Sequence, residues 1–307
     1  MQYLIVLEQL LNGVQLGVTL FLLAAGLTLV FGIMNLINLA HGAMYMVGAY
    51  LCASAYLWSG SFAFAVAAAL VGALALGVLV EVAVFRKLYQ RSNLDQVLAT
   101  FAVLLISNEL IRIIWGPGAI NAPLPDFLSG QVQVLPGVPY PTIRLAILTV
   151  GLAAALLLYL LIGHTRLGML IRAGASNRVM IGALGVNIRL LYTAVFGLGA
   201  MLAALAGLMA GPISSVEPGM GDKILILALA VIVIGGVGSV RGAFIGALMI
   251  GIIDTAGRVF LRPLLQLLLS PAAAESAGPA LASILIYVAM AAVLFFRPRG
   301  LFPPRVR

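Results

Sequence analysis

Charge is what this 307-residue sequence has least of: 8% of its residues are Asp, Glu, Lys or Arg, nine acids against seventeen basic residues. Soluble globular domains carry about a quarter charged residues, so this composition excludes one. Cys52 is the only cysteine and lies inside an apolar run, which excludes an intramolecular disulfide and a thiolate metal site. There are two histidines, His41 and His164, and no HExxH pair, so a zinc protease is not expected. No lysine follows a glycine, which rules out a GxxxxGK[ST] phosphate loop and nucleotide hydrolysis by that route. Gly236-Val237-Gly238-Ser239 comes nearest to a GxSxG nucleophile elbow, and its order is wrong. No basic residue precedes Arg86, so the first apolar run lacks the start of a cleavable signal and is expected to stay as a span.

What is abundant is apolar: 63% of residues are hydrophobic, mean hydropathy is +1.18, and 34 glycines are scattered through the runs. Runs of about 20 apolar residues mark a helical membrane protein. They lie near 9–33, 36–57, 61–85, 97–115, 142–163, 190–211, 224–235, 243–260 and 280–296. The seventh is short for about 30 Å of hydrocarbon. The expected fold is therefore an all-α, polytopic bundle of eight to nine spans forming one membrane domain over 1–307. The net charge of +8 is confined to short clusters between runs, a pattern of orientation and not of nucleic-acid binding. Arg86, Lys87 and Arg91, the segment His164–Arg189, and the tail Arg297, Arg299, Arg305 and Arg307 fall on one side if nine spans alternate. The positive-inside rule then puts the N-terminus outside and the C-terminus in the cytosol. The loop 116–141 is rich in proline and glycine, carries only Asp126, and suits the outer face.

The segment 164–189 holds Arg166, Arg172, Arg178 and Arg189 and no acid. Its middle predicts one short helix from Gly168 to about Leu184, stopped at Gly185-Val186-Asn187. It serves either as a topology anchor or as a docking surface for a cytosolic partner. Within the spans, Gly13/Gly17 and Gly242/Gly246 are GxxxG pairs, and Gly199, Ala203 and Gly207 form a small-residue stripe, features of close helix packing in lipid. Glu109/Arg112 and Asp254/Arg258 are spaced for local ion pairs, acid before base. Asn12, Gln15 and Thr19 share one helical face, and Asn35, Asn38, His41 or Gly42, and Tyr45 another. Such faces turn from lipid, either to satisfy one another or to line a polar translocation path to which Ser107 and Asn108 would add. His41-Gly42-Ala43 and Arg241-Gly242-Ala243 also hint at duplication.

Four blocks, in order along nearly the whole chain, resemble the permease subunits of branched-chain amino acid ABC importers. Asn35-Leu36-Ile37-Asn38-Leu39-Ala40-His41-Gly42 with Met46-Val47-Gly48-Ala49-Tyr50 is similar to the family's NxAHG…MxGAY segment. Gly235-Gly236-Val237-Gly238-Ser239-Val240-Arg241-Gly242-Ala243 resembles its GGxGSxxGA motif. Arg172-Ala173 with Leu184-Gly185-Val186-Asn187 resembles RA…LGIN, and Arg297-Pro298-Arg299-Gly300-Leu301-Phe302 resembles the RPxGLF ending. The resemblance implies a multi-pass permease of the bacterial inner membrane that forms half of a pore. Its coupling loop would seat on cytosolic ATPases through Arg172, Ala173, Asn177, Gly185 and Asn187. It also implies a second permease or a second copy, two ATPase subunits and an extracytoplasmic solute-binding protein as partners. No cofactor is expected on this chain, and ATP would be held by the ATPase subunits. Ala43 stands where many relatives place glutamate, so the solute need not be leucine, isoleucine or valine. Relatives are also associated with urea, short amides and other amino acids. A self-sufficient secondary carrier or channel is the competing reading.

Overall fold

The computed structural model describes residues 2–122, 124–135 and 138–302; Arg305 and Arg307 of the expected basic tail lie outside them. Each of the nine apolar runs is a helix: α1 (Gln2–Met34), α2 (Ala40–Ser59), α3 (Phe62–Ala83), α4 (Asn93–Trp115), α5 (Thr142–His164), α8 (Ile188–Ala210), α9 (Met220–Gly235), α10 (Val240–Leu265) and α11 (Pro271–Phe296). Two shorter helices, α6 (Arg166–Ser176) and α7 (Arg178–Ala183), occupy the basic segment. Among the described residues seven helices are long and apolar enough to cross a membrane; of the nine, α2 and α9 fall outside that set. The reasons differ. α2 has 20 residues, most of them enclosed by other helices, so its surface need not be as lipophilic as a perimeter helix. α9 has 16, or about 24 Å at 1.5 Å per residue, short of the hydrocarbon thickness.

The helices pack through missing side chains. Against α10, a Cβ on Gly13 would lie 2.9 Å from the Ile252 Cα and one on Gly17 2.8 Å from the Leu248 Cα, so α1 and α10 run antiparallel at backbone contact. On α8, Gly207 meets the Tyr45 carbonyl of α2, where a Cβ would stand 1.9 Å away. Lipid supplies no hydrophobic drive for these contacts, and dispersion between closely approaching backbones takes its place.

The ends of the bundle are distinct. At one, the expected outer loop forms a two-stranded hairpin, β1 (Gln131–Leu135) with β2 (Val138–Pro141), and Ile120 pairs with Val216. Tyr140 and Arg144 both donate to the Asn12 side chain near the start of α1. Burial raises the Tyr140 hydroxyl above its usual titration range, although Arg144 opposes the shift, and the group remains a donor. At the other end lie α6 and α7, the turn Phe85–Lys87, the start of α10 and the described part of the tail. The tail is tied there by Leu301 and Phe302, whose N–H groups donate to the carbonyls of Ile234 and Gly235 at 2.9 Å each. The basic clusters among the described residues therefore gather at one end of the bundle.

Candidate functional site

The single helix expected over Gly168–Leu184 is two helices. Asn177 breaks it: with φ −153° and ψ 92° it leaves the helical region, and its Oδ1 accepts from the Met180 N–H at 2.9 Å to start α7. Asparagine is a weak helix former and a strong N-cap, which is the physical reason for the break. Thr165 caps α6 through the Gly168 N–H at 3.1 Å, and Asn187 caps α8 through Leu190 at 3.1 Å. The stop at Gly185 is as expected. Its φ is +87°, and the Gly185 and Val186 N–H groups return to the carbonyls of Gly182 and Ile181 in a Schellman pattern. Thus three of the five loop residues, Asn177, Gly185 and Asn187, set backbone geometry. Arg172 stands exposed and Ala173 is half-buried on α6.

The two helices are apolar on both sides. Ile171 and Ile181 point into the bundle, and Gly174 sits under Leu191 of α8 and Ile33 at the end of α1. Outward, Val179 is 78% and Leu184 75% exposed, with Met169 and Met180 beside them. These side chains lie at the basic end, where a free helix surface would ordinarily be polar.

Next to the loop is a polar cluster that the sequence spacing did not reveal. Glu81, at the end of α3, is fully buried and accepts from Arg86 at 3.0 and 3.4 Å, from the Tyr89 hydroxyl at 2.5 Å and from Thr193 of α8 at 2.7 Å. Arg86 also donates to Thr193 at 2.8 Å. Burial first, and then the bond to Glu81, pushes the Tyr89 hydroxyl above its ordinary range, so it stays protonated as the donor.

The expected path residues separate into three places. Asn12 belongs to the hairpin end, bonded to Gln9, Tyr140 and Arg144. Gln15 is buried one turn further along α1, where its carbonyl accepts from Thr19 at 3.1 Å. Asn38 and His41 meet at the entry to α2, and both are fully buried. There the Asn38 Oδ1 accepts from the Ala40 N–H at 3.0 Å, which fixes its amide orientation and leaves Nδ2 to donate to His41 Nδ1 at 2.7 Å. His41 must therefore be neutral and carry its proton on Nε2. That Nε2 lies over Gly26 and Gly199, where Cβ atoms would come within 3.1 and 2.9 Å, and it has no partner among the described residues. Thr100 of α4 supports the segment by donating to the Ile37 carbonyl at 3.4 Å.

Among the described residues Ser107 bonds only its own helix, at the Val103 carbonyl. Asn108 reaches across to the first turn of α9, its Nδ2 donating to both Asp222 oxygens at 3.2 and 3.1 Å while its buried Oδ1 has no partner among the described residues. Gly42 and Gly221 touch at backbone distance, so the N-terminal ends of α2 and α9 face each other within the bundle. Asp222 is half-buried at the positive end of a helix dipole, a favourable place for a carboxylate. The two ion pairs expected within helices are present. Glu109–Arg112 is exposed at 3.3 Å, and Asp254–Arg258 at 2.9 Å has its acid buried.

The profile of the family described as the branched-chain amino acid transport system / permease component matches residues 9–294. The chain belongs to that family. This permease is 31% identical over 274 residues to the high-affinity branched-chain amino acid transport system permease protein LivH of Escherichia coli strain K12, a match covering 85% of this chain and 88% of that one. It is 29% identical over 308 aligned positions to the corresponding permease protein BraD of Pseudomonas aeruginosa, covering 96% and 95%. The ribose import permease protein RbsC of Escherichia coli strain K12 is 28% identical over 245 residues, covering 76% and 72%. No solved structure matches the chain.

Proposed function

We propose that this permease is half of the pore of an ATP-driven importer for branched-chain or related amino acids. The basic end faces the cytosol and the hairpin end faces out, with the N-terminus outside and the C-terminus inside. The observation that carries the coupling assignment is the outward apolar ridge of Val179 and Met180 on α7 and Leu184 at its end, framed by Arg172 and Arg178. A topology anchor needs only the charge; an apolar ridge at the water interface is stabilised by a protein groove. ATP is bound and hydrolysed on two partner ATPase subunits, and a second permease or a second copy completes the pore. A solute-binding protein delivers substrate to the hairpin end. Closure of the ATPase dimer moves α6 and α7, which carry α1 and α8 through Ile33, Gly174 and Leu191. Asn38, His41, Asn108 and Asp222 are the groups nearest the path. Asp222 supplies a carboxylate for an ammonium group, which favours an amino acid over the sugar of the more distant relative.

Purification of the tagged chain from its native membrane in mild detergent tests this. Nucleotide-binding subunits should co-purify and be lost on Val179→Asp or Leu184→Asp. A partner-free chain that moves solute in vesicles on an ion gradient, without ATP, would establish the secondary-carrier reading instead. Sidedness is read by an impermeant thiol reagent on Ser129→Cys and Ser176→Cys in a Cys52→Ala background. Labelling at position 176 from outside intact cells would reverse the topology.

A further inference from the structure

The wall between α1, α5, α6 and α10 is not closed. A groove of about 700 Å³ runs from Phe21, midway along α1, to Arg172 on α6 and Arg241 in the first turn of α10. That is within the size range of ligand clefts, about 300–1,000 Å³. Apart from the two guanidinium groups its only polar side chain is Tyr159; Phe21, Ile162, Phe244 and Ile245 supply apolar surface. Both arginines are exposed, and neither has an acidic partner among the described residues. Two of its own lining residues, Tyr159 of α5 and Ile245 of α10, are exposed, so the groove opens on the outer surface of the chain between those helices. An apolar trough that ends in two uncompensated positive charges at the level of the helix ends matches one molecule in shape and polarity. We propose that the groove binds an anionic phospholipid, with an acyl chain along Phe21, Phe244 and Ile245 and its phosphate between Arg172 and Arg241. Basic pockets between helices near the membrane surface select such headgroups by charge, and apolar contact holds the chain. The bound headgroup links α6, in the loop, to α10, which no salt bridge among the described residues does.

The test uses the full chain with its co-purified partners in phosphatidylcholine nanodiscs, with Trp58→Phe and Trp115→Phe removing this chain's own tryptophans and Tyr159→Trp placing a reporter in the groove, its signal taken as the difference from the same complex without Tyr159→Trp. Chain-brominated phosphatidylglycerol should quench this reporter in clear preference to equally brominated phosphatidylcholine. Arg241→Gln should reduce the preference about fivefold, as expected for one basic residue at an anionic surface. Arg241→Lys should retain it, which separates loss of charge from damage to the fold. Equal quenching by both lipids, unchanged in Arg241→Gln, would overturn the proposal by making the groove an unselective lipid contact. Absence of quenching by either would overturn it by showing that a protein, such as the second permease, covers the groove. A preference lost equally in Arg241→Lys would refute the assignment of the headgroup to this charge.

Discussion

Glu81→Gln isolates the cluster that ties α3 to the start of α8. The substitution keeps the side-chain shape, but it leaves one acceptor where the carboxylate served donors from Arg86, Tyr89 and Thr193. The new amide N–H group must face some of those same donors. Removing one member of a buried ion pair costs about 3–5 kcal/mol. Here Glu81 is 0% exposed but the Arg86 side chain is 32% exposed, so solvent screens the guanidinium left behind, and about 2–3 kcal/mol is the appropriate expectation. At about 2 °C per kcal/mol for a chain of this size, the unfolding midpoint should fall by roughly 4–6 °C. The protein carries its own reporter: Cys52 is buried and is the only thiol, so a fluorogenic maleimide reads its unmasking on heating in detergent. Thr193→Val removes one hydrogen bond to a charged acceptor and should lower the midpoint less. In the double variant the two losses should not add, because the partners share one network. A Glu81→Gln midpoint within about 1 °C of the parent would refute the cluster as a structural tie.

Gly207→Ala should sharply reduce the yield of folded, monodisperse protein in size-exclusion chromatography, because its Cβ would stand 1.9 Å from the Tyr45 carbonyl; Gly118→Ala, with nothing within 4 Å, should leave the yield unchanged. Asn177→Ala should cost about 1 kcal/mol by loss of the α7 cap, whereas Asn177→Asp should restore stability, as measured by Cys52 unmasking. If Asn177→Asp retains ATPase partners while Asn177→Ala releases them in pull-down, the residue acts as a cap that shapes the ridge. Asn108→Ala should lower solute uptake by membrane vesicles at least tenfold with ATPase subunits still bound, since Asp222 loses its only side-chain donor among the described residues. Unchanged uptake would remove Asn108 from the path.

Much of this architecture is legible because lipid imposes simple rules. Nine apolar runs become nine helices within a few residues at most ends, since a backbone in hydrocarbon has no other way to satisfy its hydrogen bonds. Gly13 with Gly17, and Gly199 with Gly207, mark real backbone contacts for the same reason. The break at Asn177 was also legible in principle, as an asparagine three residues before Met180 on an otherwise periodic stretch. Glu81 was not: its partners stand five and eight residues ahead across a helix end, and 112 residues away on α8, outside any helical spacing. The Asn108–Asp222 contact spans 114 residues and was equally silent. The polar stripe on α1 does mark an interior face, since Gln15 and Thr19 are buried, but the spacing gave no sign that Asn12 would bond Tyr140 and Arg144 at the hairpin end.

The likeness of His41-Gly42-Ala43 to Arg241-Gly242-Ala243 acquires a physical meaning from α9. Gly42 meets Gly221 at one end of that helix, and Gly242 meets Gly235 at the other, each so close that a Cβ would fall within 2.7 Å of a backbone atom. The shared glycine therefore performs one task twice, seating α9 between the starts of α2 and α10. A helix of 16 residues held at both ends by backbone contact has little freedom to slide independently of its neighbours. Any displacement of the start of α10, next to Arg241 and the tail, is carried along α9 to Asp222. The start of α2, with His41, is held to α1 and α8 by Gly26 and Gly199. Asp222 and His41 are thus mounted on different helices that touch at Gly42 and Gly221 and through the Gly219 N–H bond to Met46 Sδ, so a shift of the start of α10 relative to α2 is expected to change the spacing of the two polar groups.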